Sequence, residues 1–401
     1  MKKNKKKPFL KEKITKIYEI LNKKTKGKKI ISSLLFTIFS CLFTMKETGN
    51  SKKQRNLAYK SLKIFPGFAI KLLRRFALKE FLNEYKIWET KSDTYKSKHK
   101  VKARIDGTKS GKKYGKMIPE LERLWDYVNQ CYIKTHEIYL FLVSIGHKDY
   151  IVDFLLVKKE KRDDWNKTAK RMINRQLKSL GYLKKSFLHY CRLSLDGAWG
   201  NGDMLKYLKE KAFKYVSIKS GGKDIVVYEG VEYTLKGLEF YLMTNGKYFP
   251  FNEVHNLKGE YTRVIVKLKK SDIEVRVILR RFKAEKGKEE YRYLMLLSPN
   301  TNIGEVYDYQ ICQCYQGRWG IEDCIKECKE IVDLTNYSFH SETTDNIEMF
   351  LSLRFICFMV LNWYQVEYCR PSKTSMWKVG KRFEEYFSKI GYKSIWNLFS
   401  G

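Results

Sequence analysis

Between Val101 and Ile218 the chain switches between two periodicities in a set order: three β-rich runs, a helix, a strand, a second helix and a further strand. Val101–Ile105 alternates apolar and basic residues. Glu137–Ile145 and Tyr150–Val157 are dense in branched and aromatic side chains and flank a turn containing Gly146, the pattern of an antiparallel pair. Asn166–Leu183 carries apolar residues at helical spacing and is followed by a short strand at Cys191–Leu195, a helix at Asp203–Lys211 and a strand at Phe213–Ile218. Strands interleaved with helices bury their apolar faces as helices layered on a sheet, so the core belongs to the α/β (α+β) class.

The texture on either side differs. Residues 221–300 are dominated by alternating patterns (DIVVYEGVEYTL, YTRVIVKLKK, IEVRVILRRF and YRYLMLLS) separated by charged turns, which predicts a second, all-β block. Helical periodicity returns from about Ile303 to Cys328, and a long apolar helix is expected at Ile347–Val366. Upstream, residues 1–95 carry Lys-rich arms between apolar segments of helical length, interrupted at Pro66–Gly67. Within them Ala69–Trp88 places Leu72, Leu73, Phe76, Leu78, Phe81, Leu82 and Tyr85 near three-to-four spacing, for one packed face, while Lys71, Arg74, Arg75 and Lys79 supply charge. The expected division is therefore residues 1–95 as a small basic helical domain, 96–220 as the first part of the core, 221–300 as the β block, 301–370 as the completion of the core and 371–401 as a helical tail.

Charge narrows the function. The chain holds 80 Lys and Arg against 44 Asp and Glu, a formal net charge of +36, and self-repulsion on that scale calls for a polyanionic partner, nucleic acid first. Nine scattered cysteines without a compact disulfide framework fit a reducing cytoplasm. Cys312, Cys314, Cys324 and Cys328 cluster, but as CxC and CxxxC rather than the CxxC of structural zinc. The six histidines show no ligand spacing, and neither a P-loop nor a dinucleotide glycine motif is present. The apolar run Ile30–Met45 is 16 residues long with five Ser or Thr, short of the roughly 20 that span a bilayer, and reads as a buried helix.

Chemistry concentrates in Tyr315–Lys329 (YQGRWGIEDCIKECK). At about 100° per residue on a helix, Tyr315 lies at about +20°, Arg318 at about −40° and Lys329 at about −20° from Glu322. A carboxylate sharing a stripe with an arginine, a lysine and a phenol suits a metal ligand beside a polyanion, with the acid on the cation and the bases on phosphates. A row of surface salt bridges would have the same spacing. Cys324 and Cys328 fall on the far side and should pack inward.

This stretch resembles the Tyr, two residues, Arg, three residues, Glu, six residues, Lys signature of the DDE transposases of the bacterial insertion-sequence-four family. It departs at Ile325, where an aromatic residue is more usual, and at Gly317, where a basic one is common. The resemblance implies a ribonuclease-H-like catalytic core carrying a β insertion, preceded by a helical DNA-binding domain. It further implies two Asp residues at the ends of neighbouring strands. Asp196, in LSLDGAW, follows the expected fourth strand, and Asp106, in RIDGT, is expected to end the first and to precede a Gly- and Lys-rich loop. By that resemblance Asp106, Asp196 and Glu322 are the catalytic and metal-binding residues, holding two Mg²⁺ for which Mn²⁺ substitutes, and Tyr315, Arg318 and Lys329 bind DNA. The implied activity is cleavage of double-stranded DNA at the terminal inverted repeats of an insertion sequence and joining to target DNA. The implied setting is a homodimer within a paired-end complex, in the cytoplasm on the nucleoid and away from membrane. A catalytically inactive relative that binds DNA and regulates transposition is the alternative.

Overall fold

The computed structural model describes residues 68–111, 121–126, 130–157, 165–251, 257–283, 291–301, 306–332 and 344–369, together with residues 12, 13, 16, 334, 375, 376, 378 and 379. The Lys-rich arms, the run Ile30–Met45 and most of the expected tail lie outside the described residues. The chain divides into two compact units, one formed by Met1–Ser92, Gly107–Glu160 and Asp323–Gly401 and the other by Asp93–Asp106 and Lys161–Glu322. Elements are numbered in chain order, the short α2 (Asp93–Lys98) and β9 (Phe249–Pro250) included, and β1 (Val101–Gly111) and α8 (Trp319–Glu330) contribute residues to both units.

In the first unit β2 (Glu122–Asp126), β3 (Cys131–Ile145) and β4 (Lys148–Leu156) form an antiparallel sheet. The expected β3–β4 turn is present, with Gly146 at a φ of 61°, where lack of a Cβ removes the steric cost. Helices α1 (Phe68–Glu89) and α9 (Asp345–Tyr368) pack on β4 and on each other. Along α1 the apolar residues Leu72, Leu73, Phe76, Phe81 and Tyr85 are buried as their spacing predicts. Arg74, expected to add to its positive face, instead turns its charge onto Asp153 of β4 at 2.6 Å. The stretch Ile347–Tyr368 is long and apolar enough to cross a bilayer, yet 94% of its most apolar window is buried. Its Phe355 packs edge-on against Phe154 and its Trp363 indole donates to the Asp149 carbonyl at 2.7 Å, as befits a core helix.

In the second unit β1, β5 (Arg192–Leu195) and β6 (Tyr215–Lys219) lie side by side and parallel. The connections between them carry α3 (Trp165–Ser179), α4 (Lys184–Tyr190) and α5 (Gly202–Glu210), the crossover helices that parallel neighbours require. Beyond β6 the sheet turns antiparallel through β12 (Tyr291–Ser298), β11 (Ile273–Lys283) and β10 (Glu260–Leu268) to the hairpin of β7 (Ile225–Tyr228) and β8 (Val231–Thr234). The result is a mixed α/β architecture on a large, mostly antiparallel sheet.

Two expectations need correction here. The block from 221 to 300 is not all β: a helix, α6 (Leu235–Asn245), follows β8 directly. Thr234 caps it by accepting from the Gly237 N–H at 3.0 Å, and Leu235, Leu238 and Leu242 are its buried face. The continuous helix expected through Cys328 is two helices, α7 (Val306–Gln316) and α8, broken at Gly317–Arg318. α7 sinks Tyr307, Ile311, Cys312 and Tyr315 against Ile278 and Leu296, so that its C-terminal end is fixed on the sheet.

Candidate functional site

The parallel ladder between β1 and β5 ends at the pair Ile105 and Leu195. The next residues on the two strands are Asp106 and Asp196, so two acids 90 positions apart in sequence stand at one edge of adjacent strands. Asp196 leaves its strand in extended backbone and enters a 3₁₀ turn at Gly197–Trp199, with Trp199 buried. Gly200 closes that turn where a Cβ would come within 2.2 Å of the Lys219 carbonyl, so no other residue fits there without displacing the loop that carries Asp196. Asp106 differs from expectation in one respect: β1 does not end at it but continues to Gly111.

The alternation of β1 puts Lys102, Arg104 and Asp106 on one face. Arg104 is buried, which an interior strand ordinarily does not tolerate. The break between α7 and α8 accounts for its accommodation. A Cβ at Gly317 would sit 3.4 Å from the Lys102 Cδ, and one at Gly320 would sit 3.2 Å from an Arg104 guanidinium nitrogen, so the two glycines leave the room these long side chains need.

The helix break also delivers the remaining site residues. Arg318 Nη1 donates to Asp106 Oδ2 at 2.8 Å, and Arg318 Nη2 donates to Glu322 Oε1 one turn further along. The Tyr315 hydroxyl donates to Asp196 Oδ1 at 3.4 Å. Asp106 and Glu322 thus share one guanidinium, and Asp196, just past the end of β5, is held by the Tyr315 hydroxyl and acts on the same cation through its charge. Burial opposes the charge on Arg318, but the Tyr315 hydroxyl, Asp196, Asp106 and Glu322 outweigh it and hold the group more firmly protonated than an ordinary arginine. Burial pushes the Tyr315 hydroxyl up to about 12, against the pull of Arg318, so it stays a neutral hydrogen-bond donor. Arg318 Nε is buried and has no hydrogen-bond partner among the described residues.

The hard oxygen donors of Asp106, Asp196 and Glu322 fit Mg²⁺ in kind. No group of three or more His, Cys, Asp or Glu side chains among the described residues is disposed to hold an ion as it stands. Lys329, the remaining expected site residue, lies in the last turn of α8, in the portion that belongs to the first unit.

Sequence reasoning missed a second set of cations. Gln313 accepts from Lys100 Nζ at 2.8 Å and from Arg192 Nη1 at 3.1 Å. Burial, followed by Arg192 and Lys102, brings Lys100 down to about 8, the mark of positive groups crowded together. Lys102 falls within the basic alternation of Val101–Ile105, but Lys100 lies outside it and Arg192 joins them only through strand pairing. The cysteine cluster is bland. Cys312 and Cys314 are pushed up to about 12 by burial and stay neutral thiols, and Cys324 and Cys328 are buried and free.

No family model and no curated protein matches the chain. Among solved structures it is similar to piggyBac transposase in a synaptic complex with hairpin DNA, at 13% identity and a TM-score of 0.45, with 97% of this chain and 79% of that one covered. A second similarity is to the NurA nuclease from Sulfolobus solfataricus, at 11% identity and a TM-score of 0.24, covering 62% of this chain and 92% of the nuclease.

Proposed function

We propose that the chain is a DDE transposase of the insertion-sequence-four kind, cutting and rejoining DNA at terminal inverted repeats from a ribonuclease-H-like core. The observation that supports this reading best is the meeting of Asp106 and Asp196, at the end of a parallel ladder, with Glu322 around Arg318. Three acids gathered in one place repel one another unless cations offset them, and a polyanionic substrate would worsen that repulsion. Asp106, Asp196 and Glu322 would hold two divalent ions, Mg²⁺ or Mn²⁺, which supply activation of an attacking oxygen and stabilisation of a leaving one.

The protein's own groups orient the substrate. Tyr315 fixes the Asp196 carboxylate through its hydroxyl, and Arg318 steadies Asp106 and Glu322. The cations at Lys100, Lys102 and Arg192 add positive charge for flanking phosphates, and Lys329 is proposed as a separate DNA contact. In this reading the substrate is double-stranded DNA, the working form is a homodimer on paired ends, and the site of action is the nucleoid.

The test is cleavage of a labelled duplex bearing the inverted repeats that flank the coding region. Wild-type protein should nick it in Mg²⁺, and Asp196→Asn and Glu322→Gln should each bind the duplex and leave it intact. Cutting by either variant sinks the DDE assignment. A wild-type protein that binds the repeats and never cuts them points to a regulator of transposition instead.

A further inference from the structure

The exposed face of α3 is a second basic surface. Thr168, Ala169, Met172, Ile173, Gln176 and Leu177 are buried, so the helix is locked to the body of the second unit along one side. The other side carries Lys167, Lys170, Arg171, Arg175 and Lys178, and together with Asn174 these line an open cleft of about 750 Å³. Asp203, which also lines the cleft, pairs with Lys170 at 2.6 Å.

The surface is rigid at both its base and its start. The Tyr207 hydroxyl of α5 donates to Asn174 Oδ1 at 2.9 Å, anchoring the middle of α3. At its N-terminal end Asn166 Nδ2 donates to Asn201 Oδ1 at 2.9 Å. Asn201 is the cap of α5, accepting from the Met204 N–H at 3.1 Å, and α3 also packs against the Gly197–Trp199 turn that follows Asp196. The basic stripe therefore starts beside the loop that carries one of the candidate catalytic acids and runs away from it. From Lys167 to Lys178 it extends about 17 Å at 1.5 Å per residue, which is about five base pairs of duplex at 3.4 Å each.

We propose that this face of α3 is a track for the phosphate backbone of double-stranded DNA, holding about five base pairs to one side of the bond cut at Asp196. The position of that bond rests on the function proposed above, whereas duplex binding along α3 can be measured without it. A rigid stripe of cations at intervals of three and four residues presents charge to a backbone and no pattern of groups for base edges, so the track contributes grip and register rather than sequence preference.

The experiment compares full-length wild type with a Lys167→Gln, Arg171→Gln, Arg175→Gln, Lys178→Gln variant, in binding to one duplex across a salt series. All four side chains lie on the cleft, away from the buried face. A control with the same loss of charge replaces the exposed Lys223, Lys236, Lys247 and Lys258 by Gln. Each phosphate contact contributes about 0.9 to the slope of log affinity against log salt, so the α3 variant should lose about 3 to 4 from the slope. Over a fourfold rise in salt the wild type should then weaken about 100-fold more than the α3 variant. The control should keep the wild-type slope, and hydroxyl-radical footprints should show loss of protection over about five base pairs on one side only in the α3 variant.

An unchanged slope in the α3 variant, or an equal loss in the control, overturns the track. A lowered slope in a protein that never cuts DNA leaves the track standing and removes the transposase reading. Cleavage with an unchanged slope does the reverse.

Discussion

Replacing Arg318 by Met keeps much of the side-chain volume and removes the guanidinium around which Asp106, Asp196 and Glu322 are gathered. The bond to Asp106, 2.8 Å long with the acid only 15% exposed, belongs to the charge-assisted class worth about 1.5 to 3 kcal/mol. The pairing with Glu322, whose side chain is 47% exposed, resembles a surface i, i+4 pair and adds only about 0.3 to 0.5 kcal/mol. Loss of the cation also leaves neighbouring acids unopposed, so the variant should be about 2 to 3 kcal/mol less stable in EDTA. Divalent ions should then restore what the guanidinium provided. An ion at 100 times its dissociation constant stabilises the folded state by about 2.7 kcal/mol, and it should stabilise Arg318→Met more than wild type, where it shares the space with a positive charge. Urea unfolding of full-length wild type, Arg318→Met and Arg318→Met with Asp106→Asn, each in EDTA and in MgCl₂, reads both effects. In the double variant the penalty of Arg318→Met should shrink, because one of the opposed acids is gone. Stability within about 0.5 kcal/mol of wild type in EDTA, with an identical response to Mg²⁺, would refute the convergence of the three carboxylates.

Two further perturbations test how the site is supported. Glu327 on α8 is pushed up to about 7 by burial first and by Asp149, Asp323 and Glu330 after it. Its folded pKa lies above the unfolded value of 4.5; the stabilisation is complete below that value and is lost as pH rises through 7. Denaturant stability should therefore fall by about 2 kcal/mol between pH 5 and pH 8, after allowance for partial exposure, and Glu327→Gln should flatten that decline. An equally steep decline in the variant would assign the effect to other groups. Gly200→Ala drives a methyl group toward the Lys219 carbonyl, 2.2 Å from where the Cβ would lie, at a cost of about 1 to 3 kcal/mol. Because that strain falls on the turn after Asp196, DNA cleavage should drop far more than DNA affinity, and a parallel loss of both would mean global unfolding instead.

What could be read from the sequence separates along a physical line. The strands at Cys191–Leu195 and Phe213–Ile218, the hairpin at Gly146 and the helix at Asn166–Leu183 came from local periodicity, and the structure has elements at each, displaced by a few residues at most ends. The helix α6 hid inside an alternating block because its signal, Leu235, Leu238 and Leu242 behind a capping Thr, spans only three turns. The basic residues of β1 argued against an interior strand. They are housed because two glycines more than 200 positions later leave space above them, a relation between distant residues that no window along the chain contains.

The candidate site divides the same way. Spacing alone puts Arg318 within reach of Glu322, since residues four apart on a helix are neighbours, and that pair survives the break because Arg318, its last residue, leads directly into α8, with the Ile321 N–H donating to the Arg318 carbonyl at 2.9 Å. Tyr315 was expected on the same continuous helix. It reaches the site by a different route, from the end of a separate helix seated on β5 and β6, with the turn at Gly317–Arg318 redirecting the chain between the two. The contact between Arg318 and Asp106 bridges 212 positions and depends on strand register, because a slip of one residue in β1 would turn Asp106 to the opposite face and bring Ile105 to the guanidinium. Register in turn is held by burial: Val101, Ala103 and Ile105 on one face are all completely enclosed, so a slip would exchange three apolar side chains for Lys102, Arg104 and Asp106 in that enclosed layer. The apolar half of the strand, which faces away from the candidate site, is thus what fixes the position of the candidate acid.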